Sequence, residues 1–206
     1  MTPRLSIIVP VYNQPELIVR ALDSIPRRDD IEVIIIDDGS TDDTFAVCTK
    51  YAADHTDLYI RLISYPDNRG LGHAKNVGYD NCRGEYIHQL DSDDYLYTDV
   101  YNSVVDLLGN SRHEDIICIN LVTNNGYVMR VNEANKHGYC GGGCHFYKRL
   151  FLGKSRCPEV RAAEDYALNE ELLAKPHTEY FTDMNAYHYN FPREGSLYDL
   201  LKRGLL

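Results

Sequence analysis

The sequence predicts an α/β fold whose first half is a doubly wound, parallel sheet. Strand-like and helix-like segments alternate there: residues 5–9 then 16–24, 31–36 then 43–53, 59–64 then 72–82, and 85–90 then 100–108. The apolar runs are rich in Ile and Val and close in Gly, Asp or Pro, the pattern of strands buried on both faces. The helices between them fit crossover connections. A cluster of carboxylates, Asp91-Ser92-Asp93-Asp94, follows the apolar run Tyr86-Ile87-His88-Gln89-Leu90. Open α/β sheets bind ligands outside the carboxyl ends of their strands, which is where this cluster falls.

Taken in order, the first strand, Leu5-Ser6-Ile7-Ile8-Val9, ends in a proline turn, Pro10-Val11-Tyr12-Asn13. Proline stiffens that turn, and the backbone beyond it can approach a planar group. The second strand closes in Asp37-Asp38-Gly39-Ser40-Thr41, an Asp-Gly turn that needs no ligand to explain it. The segment Asn68-Arg69-Gly70-Leu71-Gly72-His73-Ala74-Lys75-Asn76-Val77-Gly78 carries glycines suited to close backbone approach. It places Lys75 one turn into a helix, beside exposed N–H groups that suit a phosphate. After residue 108 the rhythm changes. Residues 115–121 read as a strand, 126–131 as its hairpin partner and 143–147 as another strand. A helix over Glu164–Leu173, strands at 179–181 and 186–189, and an amphipathic tail at 197–205 complete the chain. With no linker and no repeat, residues 1–206 read as one domain, its two halves meeting near 108 and 109.

Three carboxylates in four residues repel one another unless a cation or a donor sits among them. Hard oxygen ligands of this kind suit Mg²⁺ or Mn²⁺, usually beside a substrate's phosphates. Read alone, the same four residues serve equally well as an acidic turn and helix cap. Asp91 and Asp93 alternate, so in an extended stretch both would face one ligand. Asp94 would cap the following helix or brace the site.

Composition narrows the function. The chain of 206 residues has 21 Lys and Arg against 31 Asp and Glu, a net charge of −10. Nucleic-acid binders show a basic face, so no nucleic-acid partner is expected. Seventeen tyrosines and no tryptophan supply aromatic faces, which in most proteins are ordinary half-buried residues. Six scattered cysteines and a first strand that starts almost at Met1 give the expectation of free thiols in a reducing cytoplasm. No apolar run approaches the roughly 20 residues of a membrane-spanning helix, which leaves peripheral membrane association open. Cys140 and Cys144, with His137 and His145 nearby, have a spacing that zinc can use. The Gly141-Gly142-Gly143 insert and the lack of a second ligand pair favour packed free thiols instead.

The motifs in this order, from Pro10-Val11-Tyr12-Asn13 through Asp37-Asp38-Gly39-Ser40, Asn68 to Gly78 and Asp91 to Asp94, to Glu164-Asp165, resemble the family-two inverting glycosyltransferases of the GT-A fold. The resemblance runs over roughly residues 4–198. It implies a mixed, mainly parallel sheet with helices on both faces. It implies a nucleotide-sugar donor, of the UDP type, and a glycan or other hydroxyl acceptor met by the second half of the chain. Pro10, Val11, Tyr12 and Asn13 would frame the base, with Asp38 accepting from base or ribose. Asn68, Gly70 and Lys75 would face the donor, although family members usually carry Arg where Lys75 stands. Asp91 and Ser92 would lie on the ribose or base side, and Asp93 would hold Mn²⁺ or Mg²⁺. Asp165 would be the general base with Glu164 in support. His188 is a candidate in the metal shell, and a packed histidine between two tyrosines is the alternative. Arg193, in Arg193-Glu194-Gly195-Ser196, would contact the diphosphate.

Two other readings compete. A nucleotidyltransferase shares the nucleotide-binding half and the acidic ligands, but needs a Gly-rich basic loop where Val11-Tyr12-Asn13-Gln14-Pro15 stands. A nucleotide-sugar-binding module without catalysis would not need both Asp93 and Asp165.

Overall fold

The computed structural model describes residues 2–110, 113–135, 142–160, 164–194 and 203. In the first half, strands β1 (Leu5–Val11), β2 (Ile31–Asp37), β3 (Tyr59–Ser64) and β4 (Tyr86–Gln89) alternate with helices α1 (Pro15–Asp23), α2 (Thr44–Asp54) and α3 (Leu71–Asn81). Every residue of β1, β2 and β4 is buried, so both faces of these strands are covered, as their unbroken apolar runs require. The second half adds β5 (Tyr95–Leu96), α4 (Thr98–Gly109), β6 (Ile116–Thr123), β7 (Val128–Met129), β8 (His145–Lys148), α5 (Arg149–Leu152), α6 (Glu164–Leu173) and β9 (Glu179–Tyr189). A 3₁₀ turn at Gly142–Cys144 leads into β8.

The nine strands among the described residues form one sheet in the order β3-β2-β1-β4-β8-β6-β9-β5, with β7 paired to β6. The β3-β2-β1-β4 block is parallel. β8 runs antiparallel between β4 and β6, and β9 returns parallel to β6. The expected mixed sheet with a parallel first half is therefore present. In a 3-2-1-4 order the crossover direction reverses between β1 and β4, the position at which doubly wound sheets open a binding crevice.

Pro10 is not a turn. It lies inside β1, opposite Ile36. Leu90 N–H donates to the Ile8 carbonyl, so the polar groups of Ile8, and by alternation those of Pro10, face β4. The β1–β4 ladder stops at Ile8 and Gln89, so the donor that proline lacks is not needed. The two strands anticipated at 179–181 and 186–189 are one strand. Thr182-Asp183-Met184-Asn185 looks too polar for a strand, and it sits where the register of β9 against β6 shifts, with Asn120 Nδ2 donating to Asn185 Oδ1 at 3.0 Å. Except at position 203, the anticipated tail at 197–205 lies outside the described residues, as do Gly195 and Ser196.

Candidate active site

The site gathers at the carboxyl ends of β1 and β4. Ser92 Oγ donates to Gln14 Oε1 at 2.6 Å and ties the two strand ends together. The acidic motif is a tight turn rather than an extended stretch, with Asp94 N–H donating to the Asp91 carbonyl at 3.0 Å. This corrects the expectation that Asp91 and Asp93 share one face: the turn sends them to different neighbours.

Asp91 looks toward a buried cluster. Lys75, fully buried on α3, places Nζ 2.9 Å from Glu164 Oε1 and 2.6 Å from Asp165 Oδ2. Burial works against the Lys75 charge, but Asp165, Asp91 and Glu164 outweigh it and hold the ammonium well above the ordinary lysine range. Burial raises the Asp91 carboxyl to about 7, against the pull of Lys75 and with the help of Asp165, Asp93 and Glu164. Gly142 N–H donates to Asp165 Oδ2 at 3.2 Å, whereas Asp165 Oδ1 is buried without a hydrogen-bond partner among the described residues.

Asp93 turns the other way. Its carboxylate lies 2.7 Å from an Arg193 nitrogen, and its carbonyl accepts from Arg20 Nη2 at 2.5 Å. Arg193 also lines a shallow cleft with Asn13, Gln14, Pro15, Glu16 and Leu17. Asp94 does not cap α4. It accepts from the Tyr187 hydroxyl at 2.6 Å and from Asn190 N–H at 2.8 Å, which braces the acidic turn against β9.

The predicted donor residues form a second layer. Asp38 accepts from the Arg69 and Gly70 amides, each at 2.9 Å, and so fixes the start of α3. Gly39 stands at φ +69°, and a Cβ there would be 2.5 Å from the Asp67 carbonyl carbon, so only glycine lets the two loops touch. Asn13, at φ +52°, donates from its backbone to Ser40 Oγ and accepts from Thr41 N–H. Tyr12 is exposed beside it, Asn68 is exposed at the rim, and Val11 is buried with its carbonyl accepting from Asp38 N–H at 2.9 Å.

His188 has two partners. Nε2–H donates to Asn124 Oδ1 at 2.9 Å and Nδ1 accepts from the Tyr97 hydroxyl at 3.0 Å, while the ring stacks on Tyr95 at 4.1 Å. Joining a metal shell would mean giving up one of those bonds. Among the described residues no three His, Cys, Asp or Glu side chains converge as a metal-holding group. Asp93 still fits a hard divalent cation: its oxygens are half-buried, and one already holds a cationic guanidinium. Of the zinc candidates, Cys144 and His145 are adjacent, with Sγ 3.2 Å from Nδ1, and His137 and Cys140 lie outside the described residues. Cys48, Cys82, Cys118, Cys144 and Cys157 are all buried.

Residues 6–152 match the model of glycosyl transferase family 2. The chain belongs to that family. The matched stretch carries β1 through α5, including Asp38, Lys75, Asp91 and Asp93, and stops before α6 and β9. Among curated relatives, Escherichia coli chondroitin synthase is 38% identical over 139 residues, covering 66% of this chain. The chain spans only 19% of that relative. S. aureus TarS 1–349 in complex with UDP-GlcNAc superposes with a TM-score of 0.82 at 22% identity, over 95% of this chain and 60% of that one. The mannosyltransferase PcManGT from Pyrobaculum calidifontis, in complex with GDP-Man and Mn²⁺, gives 0.73 at 23% identity, over 95% and 59%. These likenesses show the GT-A fold.

Proposed function

We propose that this chain transfers a sugar, with inversion, from a nucleotide-sugar donor of the UDP type to a hydroxyl acceptor, with Mn²⁺ or Mg²⁺ as cofactor. The observation that carries the reading is the meeting of Asp165 and Asp91 across Lys75, with one Asp165 oxygen left unpartnered among the described residues. Direct inversion needs one carboxylate facing the anomeric carbon from the side opposite the leaving group. Asp165 takes the proton of the acceptor hydroxyl as the new C–O bond forms. The bond from that carbon to the diphosphate oxygen breaks, and its electron pair leaves with UDP.

Asp93 would hold the divalent cation, with the donor's phosphates completing its coordination; when bound, that ion neutralises charge on the departing diphosphate. His188 would join that shell only by releasing Asn124 or Tyr97. Asn13, Tyr12, Asp38 and the Asn68–Gly70 rim would line the base and ribose, and Arg193 would turn to the diphosphate. The TarS and PcManGT complexes, named for UDP-GlcNAc, GDP-Man and Mn²⁺, support a donor and cation of these classes. The chondroitin synthase relative supports a role in polysaccharide or surface glycan assembly, which we place on the cytoplasmic side. No helix among the described residues is long and apolar enough to cross a membrane.

Asp165→Asn tests the reading. It keeps the size of the side chain and cannot accept a proton. The variant should bind UDP with Mn²⁺ like the parent and lose roughly 10²–10⁴-fold in transfer, the usual worth of a positioned base. Near-parental UDP release by this variant, measured over a donor panel, would overturn the mechanism. A parent that binds UDP but turns over no donor would point to the binding-module alternative.

A further inference from the structure

We propose that Lys75 is a positioning residue for Asp165, dividing that carboxylate into an anchored oxygen and a working oxygen. The inference rests on the reading of Asp165 as the base and departs from a donor-contact role for Lys75. An ammonium has three N–H donors and no acceptor. Two of those donors reach Glu164 Oε1 at 2.9 Å and Asp165 Oδ2 at 2.6 Å, and the group has no solvent exposure. It is therefore engaged with the catalytic pair rather than free to meet a phosphate.

Asp165 Oδ2 receives a second donor, Gly142 N–H at 3.2 Å, so it is held from two directions. Oδ1 of the same carboxylate is buried and receives none among the described residues. A buried carboxylate oxygen without a donor is costly, and an acceptor hydroxyl supplies the missing hydrogen bond. Anchoring Oδ2 fixes the direction of the Oδ1 lone pairs, which is the orientation a general base requires.

Both anchors are rigid for reasons in the sequence. Gly72, Lys75 and Gly78 share one face of α3 at three-residue spacing, and that face is buried. A Cβ on Gly78 would lie 2.3 Å from Ile8 Cγ2, so α3 sits as close to β1 as glycine allows. This close seating carries the Lys75 stem inside. On the other side, His88 bonds the Gly143 carbonyl at 2.9 Å, and a Cβ on Gly142 would collide with Gln89. The Gly142 amide thus has little freedom to move.

The test is a mutant cycle built on charge balance. Lys75→Gln alone leaves buried carboxylates unpaired and can unfold the chain, so Lys75→Gln is combined with Glu164→Gln and compared with Glu164→Gln alone. Folding is checked by thermal melting. The added Lys75→Gln change should cost about 10²-fold in kcat, the scale of a misplaced catalytic group. UDP–Mn²⁺ affinity by calorimetry should stay within about threefold, because donor binding is not what is lost. Introduced into Asp165→Asn combined with Glu164→Gln, the same change should cost nothing further, since Lys75 acts through Asp165. A fall in UDP affinity that tracks kcat would overturn the proposal and return Lys75 to the donor. An undiminished loss in the combined Asp165→Asn background would overturn it as well. If Asp165→Asn itself retains turnover, the base reading fails; if only the Lys75 change is silent, this inference alone fails.

Discussion

Arg193 closes on Asp93 across the mouth of the site, its guanidinium nitrogen 2.7 Å from the carboxylate. A cation carried by the segment after β9 thus neutralises the oxygen proposed to hold the metal. On the proposed reading, donor and metal binding would separate the two groups, and the freed guanidinium would then be available to the diphosphate. Chelation should abolish UDP release, added Mn²⁺ or Mg²⁺ should restore it, and Asp93→Ala should mimic chelation without unfolding the protein. Arg193→Ala should raise donor-free Mn²⁺ affinity by no more than about fivefold, the scale of a partly exposed ion pair, while weakening UDP binding. Calorimetry with Mn²⁺ alone and then with UDP reads both effects, and full turnover in excess chelator would remove Asp93 from metal binding.

His188→Ala should lower stability by about 1–2 kcal/mol through lost stacking on Tyr95 and two lost hydrogen bonds. Mn²⁺ affinity in the presence of UDP should not change. A tenfold drop in that affinity would put the ring among the metal ligands.

Gly39→Ala should be among the most damaging single changes. It strains a left-handed backbone and pushes the new methyl into the Asp67–Asn68 peptide. The expected loss is about 2–4 kcal/mol in a urea titration, with weaker UDP binding because the Asp38 grip on Gly70 is displaced. A variant as stable as the parent would mean that the two loops separate at little cost.

Acid should act through His88. Its ring is buried between Tyr101 and Gly143, and burial pushes it from 6.5 down to about 3. Between those values the unfolded chain takes up a proton that the folded chain refuses, so stability falls as pH drops from 6.5 toward 3. Well inside that window, each further pH step of about one costs about 1.4 kcal/mol. Urea midpoints measured across this range should fall less steeply in His88→Gln than in the parent; parallel curves would show that the folded ring takes the proton.

The parallel half was legible because Ile and Val runs such as Ile31 to Ile36 have one physical use, and each of them became a buried strand. The family followed from short motifs at strand ends, whereas the tight turn at Asp91 to Asp94 replaced an extended stretch. The parts that escaped are those that tertiary contacts decide. β5 is only Tyr95–Leu96, too short to carry a period, and exists because it pairs with Tyr187 and His188. The polar residues from Thr182 to Asn185 concealed the continuity of β9. The engagement of Lys75 with Glu164 and Asp165 was missed because a helical lysine is ordinarily solvated. The signal was nonetheless present in Gly72, Lys75 and Gly78: a cation flanked by two glycines on one helical face lies where the helix is closely packed, against Ile8 at Gly78 and against Pro158 and Glu164 at Gly72. Roles beyond residue 152 depended on resemblance alone, since Glu164-Asp165 at a helix start also has an ordinary explanation as dipole partners.

The brace on Asp94 bears on the order in which the molecule is made. Its two partners, Tyr187 and Asn190, lie 93 and 96 positions downstream. Strands β1 to β4 can pair while the chain is still emerging from the ribosome, because their pairings with one another all lie within residues 5–89. The acidic turn gains its brace only when β9 has followed and docked. A nascent chain therefore carries an assembled parallel block before the acidic turn is braced, and the shape of that turn waits for β9.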